Sequence, residues 1–225
     1  RVYRKAHQQY EAGRPPLGLP HVMIDIPEIT LDALTELINL SVGRSANALN
    51  EMIGHEVSLS VPKVELMEFE EAQANLHRDS KDSLTTVCQD FNGPIEGKSL
   101  LIMPERNSLE LVQLIIGEDV PVEDIPNFEE EALIEVGNVI LNAFLGSLGN
   151  ELRVTISSDI PTFSKTQFNE NFNEGDLRKH TVIMFVHVDF QVKNKEIKGY
   201  LILVVNLIIL KSLIFLVDKY LERIT

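Results

Sequence analysis

Cysteine and basic residues are both scarce in this chain, and each shortage excludes a class of protein. Only Cys88 of the 225 residues carries a thiol, so no disulfide can form within the chain, and a reducing cytoplasm fits. The 20 basic residues are outnumbered by 34 acidic ones, which gives a formal net charge of −14. Nucleic acid and anionic lipid require basic protein surface, so we expect neither as a non-specific partner.

The common metal and phosphate motifs are also missing. The histidines show no metal-ligand spacing, and neither His-Glu-x-x-His nor Cys-x-x-Cys occurs. The sequence contains no glycine-rich phosphate loop and no Gly-x-Ser-x-Gly elbow. We therefore expect no metal or cofactor site of the chain's own.

One long apolar run, residues 199–217, matches the length of a membrane span. Asn206, Lys211 and Ser212 interrupt this run, and a lysine near the centre of a span costs about 2.5–3.5 kcal/mol. The run also divides into a strand followed by a helix. Residues 1–20 lack the apolar core of a secretory signal. We therefore predict a soluble, cytoplasmic chain without membrane insertion.

The most distinctive feature of the chain is one spacing that occurs twice. An acidic residue is followed by a glutamate four positions on, by an asparagine three further and by a proline twenty-three beyond. The first copy consists of Asp32, Glu36, Asn39 and Pro62. The second copy lies 99 residues later and consists of Glu131, Glu135, Asn138 and Pro161. Chance rarely repeats such a spacing, so we interpret it as a duplicated functional helix.

Both copies begin in predicted long helices. Thr30 is a good N-cap and Gly54 a good stop for the first helix, and the second is predicted over about residues 128–148. A glutamate and an asparagine three apart lie about 60° apart around a helix, so both project to one side. The alternative is a solvated face without function. Asparagine is a poor helix former, however, so two at matched mid-helix places favour a function.

The remaining periodicities predict a helix, three strands and a helix in each half. The strands are predicted over residues 55–69, 83–91, 97–104, 153–163, 180–192 and 197–205. Residues 70–82, 118–128 and 167–176 are predicted as loops, and residues 108–117 and 207–224 as the closing helices. The expected fold class is α/β (α+β), with two duplicated units forming one pseudo-two-fold domain. Its sheet would be six-stranded, mostly antiparallel and covered by helices.

The same patterns divide the chain into an N-terminal appendage and one domain. Residues 1–21 are predicted as a basic helix and a proline-rich linker, either the remnant of an upstream domain or an extension without fixed structure. Residues 22–225 form the domain, with half-repeats over about 22–120 and 121–225.

The chemistry of a carboxamide limits what such a helix can do. An asparagine is a neutral donor and acceptor, so it cannot be a general base at neutral pH, but it can hold a water in line for attack. An acyl phosphate needs little more, because phosphoryl transfer depends mainly on positioning and electrostatics. The neighbouring glutamate is suited to a lysine on a docking partner. Gly43 would allow the backbone of that partner to come close.

The pattern Asp/Ser-x3-Glu-x2-Asn-x22-Pro resembles the CheC / CheX / FliY family of chemotaxis phosphatases. The resemblance spans about residues 22–224 and implies hydrolysis of the aspartyl phosphate on a CheY-like response regulator, whose own Mg²⁺ would serve the reaction. Asn39 and Asn138 would orient the attacking water, and Glu36 and Glu135 would contact the regulator's lysine. Two such helices are more similar to CheC than to CheX. The remaining residues assigned to the partner contact are Asp32, Gly43, Glu131 and Asn142.

Two points depart from the family pattern. Glu131 stands where the family usually has aspartate or serine, which leaves the geometry of the second copy less defined. Residues 1–21 lie outside the minimal family domain, and they resemble the end of a receiver domain and its linker, which some members carry. A CheD-like deamidase is a further candidate partner. The competing hypothesis is a non-catalytic adaptor that binds a response regulator, as in a flagellar switch or in adaptation.

Overall fold

The computed structural model describes residues 26–54, 56–79, 83–117, 120–165, 181–192 and 195–224. The N-terminal helix and linker predicted over residues 1–21, and the loop predicted at 167–176, lie outside these ranges. Within them the α-helices are α1 (Glu28–Ile53), α2 (Phe69–Asp79), α3 (Glu105–Ile116), α4 (Ile125–Leu152) and α5 (Leu207–Ile224). A short 3₁₀ turn, Val122–Asp124, precedes α4.

A single antiparallel sheet connects the described strands. They are β1 (Val57–Met67), β2 (Leu84–Asn92), β3 (Gly97–Pro104), β4 (Ser157–Ser158), β5 (Thr162–Ser164), β6 (Thr181–Val192) and β7 (Lys195–Asn206). The strand order is β1-β6-β7-β3-β2-β4, and β5 also pairs with β2. The first strand of each half therefore pairs with a strand of the other half. The expected mixed fold with an antiparallel sheet is confirmed, whereas the duplicated-unit detail stays a prediction.

The sheet buries a core on each face. On one face, apolar residues of α1, α3, α4 and α5 form the larger core with Val87, Phe91 and Leu203. On the other face, Ala72 and Leu76 of α2 are fully buried against the sheet. The two long helices therefore lie on the more thickly covered face, each with one side in the core.

Two of the predicted elements and the predicted strand count are wrong, each for a physical reason. Residues 70–82 were expected to form a loop, but most of them belong to α2, because the i, i+4 pair Ala72 and Leu76 buries one face. The strand predicted over 153–163 divides into β4 and β5 on either side of Pro161, which has no N–H to donate to a ladder. The sheet therefore has seven strands rather than six.

The starts of both long helices also differ from the prediction. Helix α1 begins at Glu28, and the Thr30 hydroxyl donates to Asp218 Oδ1 of α5 at 2.7 Å instead of capping α1. Gly54 ends α1 with φ 65°, as predicted. Helix α4 begins at Ile125, inside the predicted loop 118–128. Each helix is thus longer at its N-terminus than local signals indicate.

The apolar run 199–217 is not a continuous helix. It forms most of β7 and the first half of α5, as the sequence predicts. Among the described helices, the segment Val122–Leu152 is long and apolar enough to cross a membrane, but 56% of its apolar window is buried within the fold. This burial is typical of the core helix of a soluble domain.

Two glycines of α4 allow a matched test of how closely this helix packs. A Cβ at Gly137 would lie 2.4 Å from Val87 Cγ1 of β2, whereas a Cβ at Gly146 would meet nothing within 4 Å. We expect Gly137→Ala to destabilise the protein by about 1–3 kcal/mol through overpacking. Gly146→Ala should stabilise it by about 0.5–1 kcal/mol, because alanine favours a helix. Urea unfolding of the two variants measures the difference; equal effects would contradict the close packing at Gly137.

Candidate functional site

The two helices that carry the repeated spacing pack against each other. The Ser45 hydroxyl of α1 donates to the Ile140 carbonyl of α4 at 3.0 Å, and this contact is buried. At the surface, Arg44 of α1 forms an ion pair with Glu151 of α4 at 2.8 Å. The sequence-predicted residues of both copies therefore belong to one helical layer.

The first copy forms an open stripe on α1. Asp32, Glu36, Asn39 and Gly43 are all exposed, as expected for a contact surface. In the part of the chain that the structure describes, the Asn39 side chain makes no hydrogen bond. A Cβ added at Gly43 would meet nothing within 4 Å, so the surface beside Asn39 is unobstructed. We call these four residues the α1 stripe.

The second copy forms a corresponding stripe on α4, with one difference. Glu131, Glu135 and Asn142 are exposed, and Asn138 is half-buried. Asn142 Nδ2 donates to Asn138 Oδ1 at 2.7 Å, so the two asparagines are joined. We call these four residues the α4 stripe.

A large apolar residue extends each stripe by one turn towards the helix N-terminus. Ile29 precedes Asp32 and is 62% exposed, and Phe128 precedes Glu131 and is 43% exposed. The two positions are also 99 residues apart. The sequence prediction did not include this pair, although the spacing could have found it. Exposed apolar residues beside a charged stripe are typical of a protein contact.

The two prolines of the pattern lie at irregularities near the two edges of the sheet. Pro62 falls where the pairing of β1 with β6 shifts register, between Ser60 and Lys63. Pro161 is buried between β4 and β5. The prolines therefore shape strand ends and irregularities.

The start of α4 is fixed by a buried carboxylate. Glu129 is 1% exposed, and its Oε1 accepts from Ser108 at 2.6 Å. Its Oε2 lies 2.5 Å from Lys165 Nζ, which also contacts Glu105 Oε1 at 2.9 Å. Burial by itself lowers the pKa of Lys165, but the hydrogen bonds to Glu129 and Glu105 outweigh it and raise the pKa. The ion pair thus ties the segment after β5 to the first turns of α4.

No second kind of reactive group emerges from the described residues. Burial raises the pKa of the Cys88 thiol to about 11, which makes it a poor nucleophile at neutral pH. Within the described ranges, no group of three or more His, Cys, Asp or Glu side chains could hold a metal ion. Neither a reactive thiol nor a metal cluster of these side chains is therefore seen among the described residues.

Comparisons with known proteins agree with this arrangement. No family model matches the chain. It is similar to the CheY-P phosphatase CheC of Bacillus subtilis (strain 168), with 22% identity over 184 residues, which cover 78% of this chain and 88% of that protein. It is also similar to the flagellar motor switch phosphatase FliY of the same bacterium, with 24% identity over 60% of this chain and 34% of that protein.

A solved structure shows the same fold. FliY from Thermotoga maritima matches with a TM-score of 0.72 at 19% identity, over 88% of this chain and 100% of that chain. Together with the curated relatives, it supports the CheC / CheX / FliY family, and the resemblance predicted from the sequence is confirmed. The relatives by name are chemotaxis phosphatases.

Removing Lys165 should destabilise the fold by leaving Glu129 buried without its cation. We expect Lys165→Met to cost about 1–3 kcal/mol at neutral pH. The matched control is Lys219→Met, which breaks an exposed pair with Glu222 and should cost about 0–1 kcal/mol. Because the pKa of Lys165 is raised, its contribution is fully present below pH 10.5 and is lost as the pH rises through the folded-state pKa. Urea unfolding at pH 7 measures both variants; equal costs would refute the role of Lys165.

Proposed function

We propose that the chain hydrolyses the aspartyl phosphate of a CheY-like response regulator. The observation that carries this proposal is the repeated pair of a glutamate and an asparagine on two adjacent helices, in which only Asn138 is half-buried and the others are exposed. The name of the Bacillus subtilis relative, a CheY-P phosphatase, supports it.

In the proposed mechanism Asn39 or Asn138 enters the regulator's active site and orients the attacking water. The carboxamide oxygen accepts a hydrogen bond from the water while the amide NH₂ donates one to a neighbouring oxygen, so the lone pair of the water faces the phosphorus. The acyl phosphate is already activated, so positioning supplies most of the acceleration. The Mg²⁺ would belong to the regulator, and the chain would need no cofactor of its own.

The carboxylates and the apolar ends of the stripes would hold the partner. Glu36 and Glu135 would each accept a charge-assisted hydrogen bond from the regulator's lysine. Asp32 and Glu131 add negative charge on the same side of each helix and would steer a basic surface into place. In this proposal the regulator binds in a cytoplasmic setting, and a CheD-like deamidase is a candidate for adjusting the activity.

A second candidate is a non-catalytic adaptor that binds a regulator at a flagellar switch. The similarity in fold to FliY from Thermotoga maritima makes this class relevant. An adaptor would bind the phosphorylated regulator without increasing phosphate release. It would also have no need of an asparagine in both stripes, which favours the phosphatase.

The double variant Asn39→Ala/Asn138→Ala tests the chemistry directly. We expect accelerated phosphate release from a phosphorylated CheY-like protein to be abolished, because neither helix could orient a water. The decisive measurement is phosphate release against time, with circular dichroism to show that the fold persists. Wild-type activity in the double variant would rule out the mechanism.

A control asparagine is available on the same helix. Asn150 is exposed near the end of α4, two turns beyond Asn142, and its substitution by alanine should leave the rate unchanged. An equal loss in Asn150→Ala would show that the double variant acts through general damage to α4. If the wild type binds the phosphorylated regulator without increasing phosphate release, the adaptor hypothesis is favoured.

The exposed apolar pair provides a test of docking. We expect Ile29→Ser/Phe128→Ser to raise KM for the phosphorylated regulator about ten-fold, because each side chain would lose its burial in the complex. The turnover number should stay the same, since neither residue reaches the water.

The control for docking is Ile208→Ser, which removes an apolar residue of α5 that is even more exposed, at 74%. Ile208 lies ten residues before Asp218, the contact of Thr30, and thus about 15 Å along the helix from the start of the α1 stripe. Its substitution should leave KM unchanged. A rise in KM for Ile208→Ser as large as that of the double variant would contradict docking through Ile29 and Phe128.

A further inference from the structure

The asparagine of the α4 stripe is held by a chain of amides. Gln89 on β2 is 1% exposed, and its Nε2 donates to the Asp159 carbonyl at 2.6 Å and to Asn142 Oδ1 at 3.1 Å. Asn142 Nδ2 in turn donates to Asn138 Oδ1 at 2.7 Å. Asn138 is therefore connected to a fixed backbone carbonyl through two side chains.

The Asp159 carbonyl sets the direction of every hydrogen bond in this chain. A carbonyl can only accept, so Gln89 must turn its amide group towards Asp159. The second N–H of the same group then faces Asn142, which must present its oxygen. The amide group of Asn142 is thereby turned to Asn138, whose own oxygen must accept. The amide group of Asn138 is left free to donate away from the chain.

The α1 stripe lacks both linking side chains. Gly43 stands 99 residues before Asn142, and Val188 stands 99 residues after Gln89. Val188 is buried in the core that faces the helices, so the residue at this spacing is apolar. Asn39 accordingly makes no side-chain hydrogen bond among the described residues. The first half thus contributes Gln89 and the second half Asn142 to the support of Asn138, whereas Val188 and Gly43, at the matching positions, provide no linking side chain.

Core stability does not explain Gln89. Its Oε1 is buried and, within the described part of the chain, has no hydrogen-bond partner. An unpaired buried acceptor is unfavourable, and an apolar residue such as the valine at 188 would avoid that cost. A buried polar group that carries such a cost requires another reason for its presence.

We propose that Gln89 and Asn142 are positioning residues that fix the carboxamide of Asn138 in its working orientation. This inference rests on the proposed function. The amide group of Asn138 faces the phosphorylated partner before docking, whereas the partner itself must orient Asn39. The oxygen of Asn138 keeps one lone pair for the water, because the hydrogen bond from Asn142 occupies the other. Asn142 therefore acts through Asn138 and not by contact with the partner.

The test uses the background Asn39→Ala, in which only the α4 stripe can act. We expect Gln89→Leu and, separately, Asn142→Ala to lower kcat for phosphate release about ten-fold, since a misoriented reacting group loses much of its effective concentration. KM for the phosphorylated CheY-like protein should not change, because the docking surface is intact. Asn142→Asp retains the acceptor for Gln89 but loses the donor to Asn138, so it should match Asn142→Ala.

The background Asn138→Ala supplies the control. There only the α1 stripe acts, and Gln89→Leu should leave kcat unchanged if the variant folds normally. Because Asn142 is exposed, its variants keep the test valid even if Gln89→Leu is unstable.

Three results would overturn the positioning role. They are an unchanged kcat in the Asn39→Ala background, an equal loss of kcat in both backgrounds, and a rise in KM alone, which would assign Asn142 to docking. Full activity of Asn39→Ala/Asn138→Ala would instead overturn the proposed function. The two failures are therefore distinguishable.

Discussion

The close approach of α4 to β2 is the constraint on which the site depends. Gly137 has no side chain, and a Cβ at this position would overlap Val87 of the strand below. The helix-facing residues of β2 meet α4 in turn, with Thr85 against Glu129, Val87 against Gly137 and Gln89 against Asn142. A wider separation would break the polar contacts at both ends. The absence of a side chain at Gly137 thus allows the close packing that connects the neighbouring Asn138 to the sheet.

The two stripes are alike where they face solvent and unlike beneath. Both present an apolar residue, an acidic residue, a glutamate and an asparagine in the same order along an exposed side. Below, the α4 stripe is joined to an amide network, whereas the positions 99 residues from Asn142 and Gln89 are an open glycine and a buried valine. The same side chain is therefore held differently in the two stripes, because the residues that contact it differ. A repeated motif thus need not give two equal activities.

Sequence reasoning succeeded where the signal was local and periodic. Turn chemistry predicts the helix end at Gly54 and the two strands on either side of Asn92-Gly93-Pro94. Helical spacing predicts the exposed face that carries Asp32, Glu36, Asn39 and Gly43. It failed where distant contacts decide. The sequence predicts Thr30 as a helix cap, but its hydroxyl donates to the distant Asp218. In α2, Ala72 and Leu76 are buried in an otherwise polar segment, which is a weak signal for a helix.

The amide network was beyond sequence reasoning for the same reason. Gln89 lies 53 residues before Asn142 and 70 residues before Asp159 in the sequence. Nothing in its local sequence indicates that Gln89 is more than a polar residue in a strand. The fold class could be predicted, and the role of the stripe residues stays a prediction, but the differences between the stripes could not be predicted. A comparison of the two halves at the 99-residue spacing would have revealed the exchange of Gln89 for Val188.

The exchange of strands between the halves has a kinetic consequence. β1 pairs with β6, so residues near 60 must pair with residues near 190. One side of β2 is paired only when β4 and β5 are added to the sheet. Each of these ladders closes a long loop before it gains any hydrogen bond. High contact order of this kind slows folding, and neither half can complete its sheet alone. Until residues 181–192 have been synthesised, β1 has no partner strand, so the nascent chain exposes backbone groups that are available for premature strand pairing.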